Sequence, residues 1–260
     1  MISGRNRMDC AAEKRGSIRE GRAAARIPGC GEILLSYDVD TVSYRVGEDS
    51  YQLRTLRDRQ QYSDPEGVAA RAGVPPSSWP LFGLVWPSGR VLAEEMSRFE
   101  IEGKRVLEVG CGIGLCSLVL WRRKCDITAT DYHPLAGEFL QLNAALNDLP
   151  PLRFLVAPWG RPNPQLGRFD LIVGADLLYE RDQPELLAGF IGRHAKPISE
   201  VLIADPGRRQ WSEFAGLMAA QGYTLTEKRV TLDEDSSLAA PPRGRLALFS
   251  RSARAVMREE

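Results

Sequence analysis

From residue 105 to residue 204 the chain alternates between two hydrophobic periods, and this alternation restricts its fold more than any other feature. Short β-branched or apolar runs fall at 105–109, 126–130, 153–157, 169–174 and 201–204. Helix signals lie between them. The segment HPLAGEFLQLNAALND places Pro134 at a first helical position, with Leu135, Phe139, Leu142 and Leu146 near helical spacing. DQPELLAGFIGRHAK opens with Asp182 and Glu185 in a capping-box arrangement and closes on basic residues that suit a helix C-terminus. QWSEFAGLMAAQG stops at Gly222. Strands separated by helices predict an α/β fold, a doubly wound and mostly parallel sheet with helices on both faces. The pattern then changes. Two strand patterns at 223–232 and 245–251 are joined by a polar loop with no helix, which predicts a C-terminal antiparallel hairpin.

Upstream, residues 32–53 are rich in β-branched and aromatic side chains and predict two or three short strands with a turn near GEDS, a small N-terminal β extension. In SDPEGVAARAG, Asp64 is expected to cap a short helix, with Pro65 at its first position and Gly73 as its stop. The irregular stretch VPPSSWPLFGLVWPSG contains two Trp-Pro pairs, after which Ser88 is expected to cap a helix to about Arg98. Residues 1–28 carry seven Arg or Lys against three acids and almost no large apolar residues. They lack the apolar core of a secretory signal and are expected to be a disordered leader. The domain division is therefore a leader over 1–28, strands and helices covering the site over 29–100, the main domain over 101–252 and a tail over 253–260.

Lys and Arg number 34 and so do Asp and Glu, so no basic excess argues for nucleic acid or an anionic membrane as partner. No apolar run approaches the roughly 20 residues that a membrane-spanning helix needs. Five cysteines, an odd number without a C-x-x-C pair, argue against a disulfide framework or a zinc site and fit a reducing, cytoplasmic compartment. With two histidines in the chain, a histidine-based metal site is not expected either.

In an open sheet of this kind, ligands bind outside the carboxyl ends of the strands. The residues at those ends are Glu108, Asp131, Trp159, Asp176 and Asp205, four acids among five. The first strand runs into VLEVGCGIG, with Gly110, Gly112 and Gly114 in the turn. Such turns usually cradle phosphates, and an acid two residues earlier is a poor neighbour for one. The third glycine of the dinucleotide fingerprint is replaced by Leu115. A cationic ligand fits better. S-adenosylmethionine carries a sulfonium, an ammonium, a ribose diol and an adenine. Gly110 and Gly112 allow close backbone approach, Glu108 can hold the local backbone and attract the ammonium, and Asp131 lies 21 residues after Gly110, the usual distance for a ribose-binding carboxylate. Trp159 offers an aromatic face or edge to adenine.

Taken together, VLEVGCGIGLCSLVL, TDYHP, Trp159 and FDLIVGADLLY resemble the seven-stranded, Rossmann-like S-adenosylmethionine-dependent methyltransferases. More narrowly, the chain is similar to the branch with a D-x-x-Y motif after the fourth strand, here Asp176 to Tyr179, and an upstream Trp-Pro, here Trp86-Pro87. That branch contains many protein-lysine methyltransferases and nicotinamide-methylase-like proteins. The resemblance covers residues 75 to 250. It implies Asp176 and Tyr179 as catalytic residues and Trp86, Gly114, Tyr132 and Ala175 as further cofactor contacts, with no metal and a protein as methyl acceptor. A small-molecule acceptor is the alternative, and a nicotinamide-dependent oxidoreductase or a non-catalytic binding module are readings from other classes. Other roles stand beside these: a cap for Asp176, a packed ring for Tyr179 and a core anchor for Trp86. Trp79, Phe82, Trp121 and Trp211 are read as packing, His133 as a helix cap or cofactor-rim residue, His194 as a helix C-terminal residue and Asp205 as a turn former.

Overall fold

The computed structural model describes residues 24–27, 30–34, 38–57, 64, 67–232 and 242–252. Its centre is a seven-stranded sheet. Strands β5 (Arg105–Val109), β6 (Asp126–Asp131), β7 (Arg153–Val156), β8 (Phe169–Ala175) and β9 (Ala195–Asp205) are mutually parallel, and β11 (Arg243–Arg251) runs antiparallel to both its neighbours, β9 and β10 (Thr224–Thr231). The spatial order is β10-β11-β9-β8-β5-β6-β7, so β11 is inserted between β9 and β10. The C-terminal hairpin is present as expected, from Thr224 opposite Ser250 to Thr231 opposite Arg243. Residues 233–241 of the joining loop lie outside the described residues. β9 begins well before the expected 201–204, with an irregular register against β8 and Pro197 inside it. Proline is tolerated in a strand at such an irregularity and hides the strand's start from a pattern search.

Helices α2 (Pro87–Met96), α3 (Leu115–Arg122) and α4 (Pro134–Leu146) pack into one hydrophobic cluster with the Val106, Leu171 and Ala204 side of the sheet. Helices α5 (Gln183–His194) and α6 (Trp211–Ala220) pack into another with Leu107, Ile172 and Ile203. Alternate strand residues thus face opposite layers, as the pleat requires. Trp211, Phe214 and Phe249 close the second cluster with ring centroids 5.5–5.9 Å apart. Trp79 and Trp121 line the first, each donating its indole N–H to a carbonyl, that of Val74 and of Pro150.

Three helix starts differ in detail from expectation. Ser88 does not cap α2: Trp86 holds the cap position, Pro87 is the first helical residue, and Ser88 lies buried inside the helix. Proline's fixed φ suits that first position. Asp182 precedes α5 in a helical conformation and makes no side-chain capping bond; the Gln183 Oε1 atom accepts from the Glu180 N–H instead. The short helix α1 (Val68–Ala72) begins after Gly67, and Asp64 still supplies a carboxylate to it by accepting from the Ala70 N–H at 2.8 Å. Gly73 ends α1 at φ 84°, and His133 Nδ1 accepts from the Leu135 N–H at the start of α4, both as read from the sequence.

The N-terminal extension is a hairpin of β3 (Val39–Val46) and β4 (Asp49–Leu56). Gly47, at φ 58°, opens its two-residue turn, where a type II′ geometry needs positive φ. The hairpin lies against α4. Asn143 and Asn147, one helical turn apart, each accept from a β4 N–H and donate to the same residue's carbonyl, at Arg54 and Gln52. Within the stretch read as a leader, β1 (Ala24–Ile27) pairs antiparallel with β2 (Cys30–Leu34). Residues 1–23 and the 253–260 tail lie outside the described residues. Among the described residues no helix is long and apolar enough to cross a membrane, and no group of three or more His, Cys, Asp or Glu could hold a metal ion.

Candidate active site

The carboxyl ends of β5, β6, β8 and β9 bring the expected residues to one edge of the sheet. Gly110, Gly112 and Gly114 have φ of 64°, 53° and 90°, a region that other residues enter only with strain. A Cβ on Gly110 would stand 2.6 Å from the Leu177 side chain, one on Gly112 would stand 2.9 Å from the Phe82 carbonyl oxygen, and one on Gly114 would overlap Leu140. The loop is therefore a bare-backbone cradle packed between the D-x-x-Y segment, the 75–87 segment and α4. Asn143 fastens it by donating to the Ile113 carbonyl at 2.9 Å.

Glu108 stands one residue before the end of β5. It lies on the same strand face as Val106, is buried beneath the loop, and accepts from the Ser117 hydroxyl and backbone N–H in the first turn of α3. Burial, the largest influence, pushes its pKa up to about 8, so the side chain is mostly neutral at pH 7. The acid beside the glycine turn is thus a brace for the turn. Its folded-state pKa exceeds the ordinary carboxylate value of 4.5. Its contribution to stability is then complete below that ordinary value and is lost as pH rises toward 8. Glu108→Gln should accordingly lose less stability than the wild type between pH 5 and 8, by on the order of 3 kcal/mol. Parallel urea titrations across that range would show it, and parallel declines for the two proteins would contradict it.

Asp131 ends β6 and ties the loop to the next turn: its carboxylate accepts from the Gly112 and His133 N–H groups, each at 2.8 Å. Burial raises its pKa, and these bonds, with that of Tyr132, oppose the rise. His133 stacks on Phe82 with ring centroids 4.1 Å apart, and burial lowers its pKa to about 4, so it is a neutral cap. Tyr132 is 36 % exposed, and a Cβ on Gly73 would stand 2.7 Å from its hydroxyl. Trp86 donates its indole N–H to the Leu81 carbonyl, which fixes the second Trp-Pro pair beside the loop's neighbour Phe82. Trp159, past the end of β7, packs partly buried against the α5–α6 layer, and its carbonyl accepts from Arg193.

Ala175 is the last residue of β8, and Asp176 follows at φ 54°, one of three non-glycine residues with positive φ among those described. Its N–H is donated to the Ala204 carbonyl on β9. The carboxylate accepts two bonds from one guanidinium, from Arg208 Nε at 2.7 Å and Arg208 Nη2 at 3.0 Å. Sequence reading missed Arg208, because no local pattern links positions 32 residues apart. Asp205 does form the turn read for it: its Oδ1 accepts from the Gly207 and Arg208 N–H groups. Tyr179 is 40 % exposed, and burial of its hydroxyl, then the charge of Asp131, raise its pKa to about 12. It is a neutral hydroxyl at the rim. Of the residues read as a site, Glu108, the glycines, Asp131, Ala175, Asp176 and Tyr179 gather at this edge, while the Trp159 ring packs into the helical layer beside it.

A glycine cradle, a carboxylate at the next strand end and a D-x-x-Y segment beside them define a class of ligand-binding α/β proteins that comparison makes specific. The chain belongs to the lysine methyltransferase family, whose model matches residues 81–220. It is 35 % identical over 168 residues to the electron transfer flavoprotein beta subunit lysine methyltransferase of Xenopus laevis, covering 58 % of this chain and 65 % of that protein. The Homo sapiens protein of the same name is 32 % identical over 175 residues, covering 65 % of each chain. The match thus spans a little under two thirds of these relatives. The fold is shared with M. jannaschii TYW2, solved in complex with AdoMet, at a TM-score of 0.50 and 14 % identity over 85 % of this chain and 91 % of that one.

Proposed function

We propose that this protein transfers a methyl group from S-adenosylmethionine to the side-chain amine of a lysine in a protein. The observation that carries this reading is the meeting of the Gly110–Gly114 cradle, Asp131 and Asp176 at one sheet edge in a chain of the lysine methyltransferase family. The tight glycine turn, packed against Leu177, Phe82 and Leu140, presents its backbone to the methionine and ribose part of the cofactor. Trp86, Gly114, Tyr132, Trp159 and Ala175 are assigned to its surroundings. Asp131 keeps acceptor capacity for a ribose hydroxyl beyond its backbone bonds from Gly112, His133 and Tyr132, since an ionised carboxylate has about four acceptor sites. The neutral Glu108 repels nothing.

When bound, S-adenosylmethionine supplies an electrophilic methyl group on a sulfonium, and displacement at that carbon needs no metal. The chain's task is to align an amine and manage its charge. Asp176 can accept an N–H of the incoming amine, and Tyr179 can shape the mouth and present its ring to a cation. The free, buried thiols Cys111, Cys116 and Cys125 fit a reducing, cytoplasmic setting, which fractionation of cells expressing the protein would check.

The direct test is transfer of labelled methyl from S-adenosylmethionine into a cell extract, with protein and small-molecule fractions counted separately. Label in protein, recovered as methyl-lysine after hydrolysis, is the expected result; label confined to small molecules would redirect the assignment. Asp131→Ala should weaken S-adenosylhomocysteine binding by about 1–3 kcal/mol, roughly tenfold or more, as ribose hydroxyls lose an acceptor and the loop loses its tie. Unchanged affinity in calorimetry on the folded variant would remove Asp131 from the cofactor site.

A further inference from the structure

We propose that Arg208 is a positioning residue that neutralises Asp176, so that the carboxylate can orient a substrate amine without trapping it as an ammonium. This rests on the methyl-transfer reading above.

The starting point is the bidentate pair, 2.7 and 3.0 Å, in which the Asp176 side chain is 9 % exposed and Arg208 38 % exposed. The fork is not a loose surface contact. The Arg208 N–H is donated to Asp205 Oδ1, which also takes the Gly207 N–H and lies 3.4 Å from Arg245 Nε. Arg245 in turn sits over the Trp211 ring at 4.8 Å and reaches Glu227 at 3.4 Å. The Asp176 end is equally fixed, by its N–H bond to Ala204 and its left-handed backbone. Two strand ends and the terminal hairpin thus hold one carboxylate against one guanidinium.

The chemistry of the acceptor explains why a pair is useful there. A protonated amine has no lone pair to donate. An isolated carboxylate in a partly desolvated site would favour the ammonium, because an opposite charge nearby stabilises the charged form. A carboxylate already paired with guanidinium presents no net charge. Its fork occupies two acceptor sites and leaves others for an amine N–H. The guanidinium itself disfavours a second cation beside it. Arg208 stays charged throughout any working pH, since the Asp176 bonds raise its already high pKa. The other groups that face the pair are Asp205 and Tyr179, which act on Arg208, and Arg245, which offsets Asp205; Asp131 and Glu180 face Tyr179 in turn. In the transfer, one proton first leaves the ammonium for water. The amine lone pair then forms the N–C bond, and the C–S bond breaks with its electron pair left on sulfur. The products are a methylated ammonium and a neutral thioether.

The test uses the full chain, labelled S-adenosylmethionine at saturation, and the protein fraction of a cell extract at a load that saturates the wild type. Rates are followed from about pH 6 to about pH 9.5. Arg208→Gln should move the midpoint of the rising limb alkaline by about one unit, with about a tenfold loss at neutral pH that is recovered above the new midpoint. Arg208→Lys, which keeps the charge, should stay near the wild-type midpoint, and calorimetry should find S-adenosylhomocysteine affinity unchanged in both. A rate lost equally at every pH, with an unmoved midpoint, overturns the inference while leaving the methyl-transfer reading intact. So does a parallel loss of S-adenosylhomocysteine affinity. A wild type that binds S-adenosylhomocysteine and labels no extract protein overturns both.

Discussion

Asp176→Asn is expected to lower turnover by about 10²-fold while changing S-adenosylhomocysteine affinity by less than about twofold. Asparagine is nearly isosteric and tolerates the left-handed backbone that Asp176 adopts at φ 54°, so the strand end should keep its shape. The charge is what changes. An acceptor oxygen that holds an amine in line gains strength as the nitrogen becomes cationic in the transition state, and a neutral amide oxygen supplies much less of that gain. The same substitution leaves the half-exposed Arg208 free to turn to water, which adds an unpaired cation near the methyl acceptor. Cofactor affinity should hold because the Gly110–Gly114 cradle follows β5 and is tied by Asp131 at the end of β6, bonds that do not involve Asp176. Calorimetry with S-adenosylhomocysteine, paired with single-turnover methyl transfer, separates the two effects. A variant that loses cofactor affinity but turns over normally at saturation would move Asp176 into the cofactor site, and one normal in both would make it structural.

Asn143→Ala should destabilise the fold by roughly 3 kcal/mol, lowering Tm by about 6–12 °C. Asn143 is fully buried in α4 and serves three backbone groups at once. It accepts from the Arg54 N–H at 2.7 Å, donates to the Arg54 carbonyl at 3.4 Å and donates to the Ile113 carbonyl at 2.9 Å. Alanine would strand those groups in a dry interface between hairpin, helix and glycine loop, where a buried unmet polar group costs about 1–3 kcal/mol. Asn147→Ala should cost less, because that side chain lies nearer the surface and water can replace part of what is lost. Urea unfolding of both variants would rank them, and an Asn143→Ala protein as stable as the wild type would show that the hairpin's attachment does not depend on this side chain. The Ile113 bond gives a second readout: the loop should loosen, and S-adenosylhomocysteine binding should weaken with it.

What the sequence determined by itself is the set of features whose cause is local. Short apolar and β-branched runs marked β5, β6, β7 and β8 to within a residue or two, since a strand buried on both faces is written as consecutive apolar side chains. The glycines of the loop announced a backbone that only glycine adopts readily, and all three do so. The absence of helix signal between 232 and 245 was enough to expect β10 and β11 to run antiparallel. Strand-end position alone singled out Glu108, Asp131 and Asp176, because an open α/β sheet gathers its ligand at that edge.

Tertiary structure decided everything that depends on which strand lies beside which. Nothing near Asp176 in the chain points to Arg208; they meet because β8 and β9 pair in parallel and end together. Placing β11 between β9 and β10 is what brings Arg245 to Asp205. Asn143 and Asn147 read as ordinary polar positions on a helix, and their role appears only when β4, 89 and 95 residues away in sequence, presents its edge to them. The surroundings of Glu108 were decided the same way: α3 folds back over β5 and offers its first turn, so the buried acid accepts from Ser117. Local patterning fixes the period of each segment, whereas the partners of a charge or an amide come from contacts between segments far apart in the chain, whose free energy no short window of residues contains.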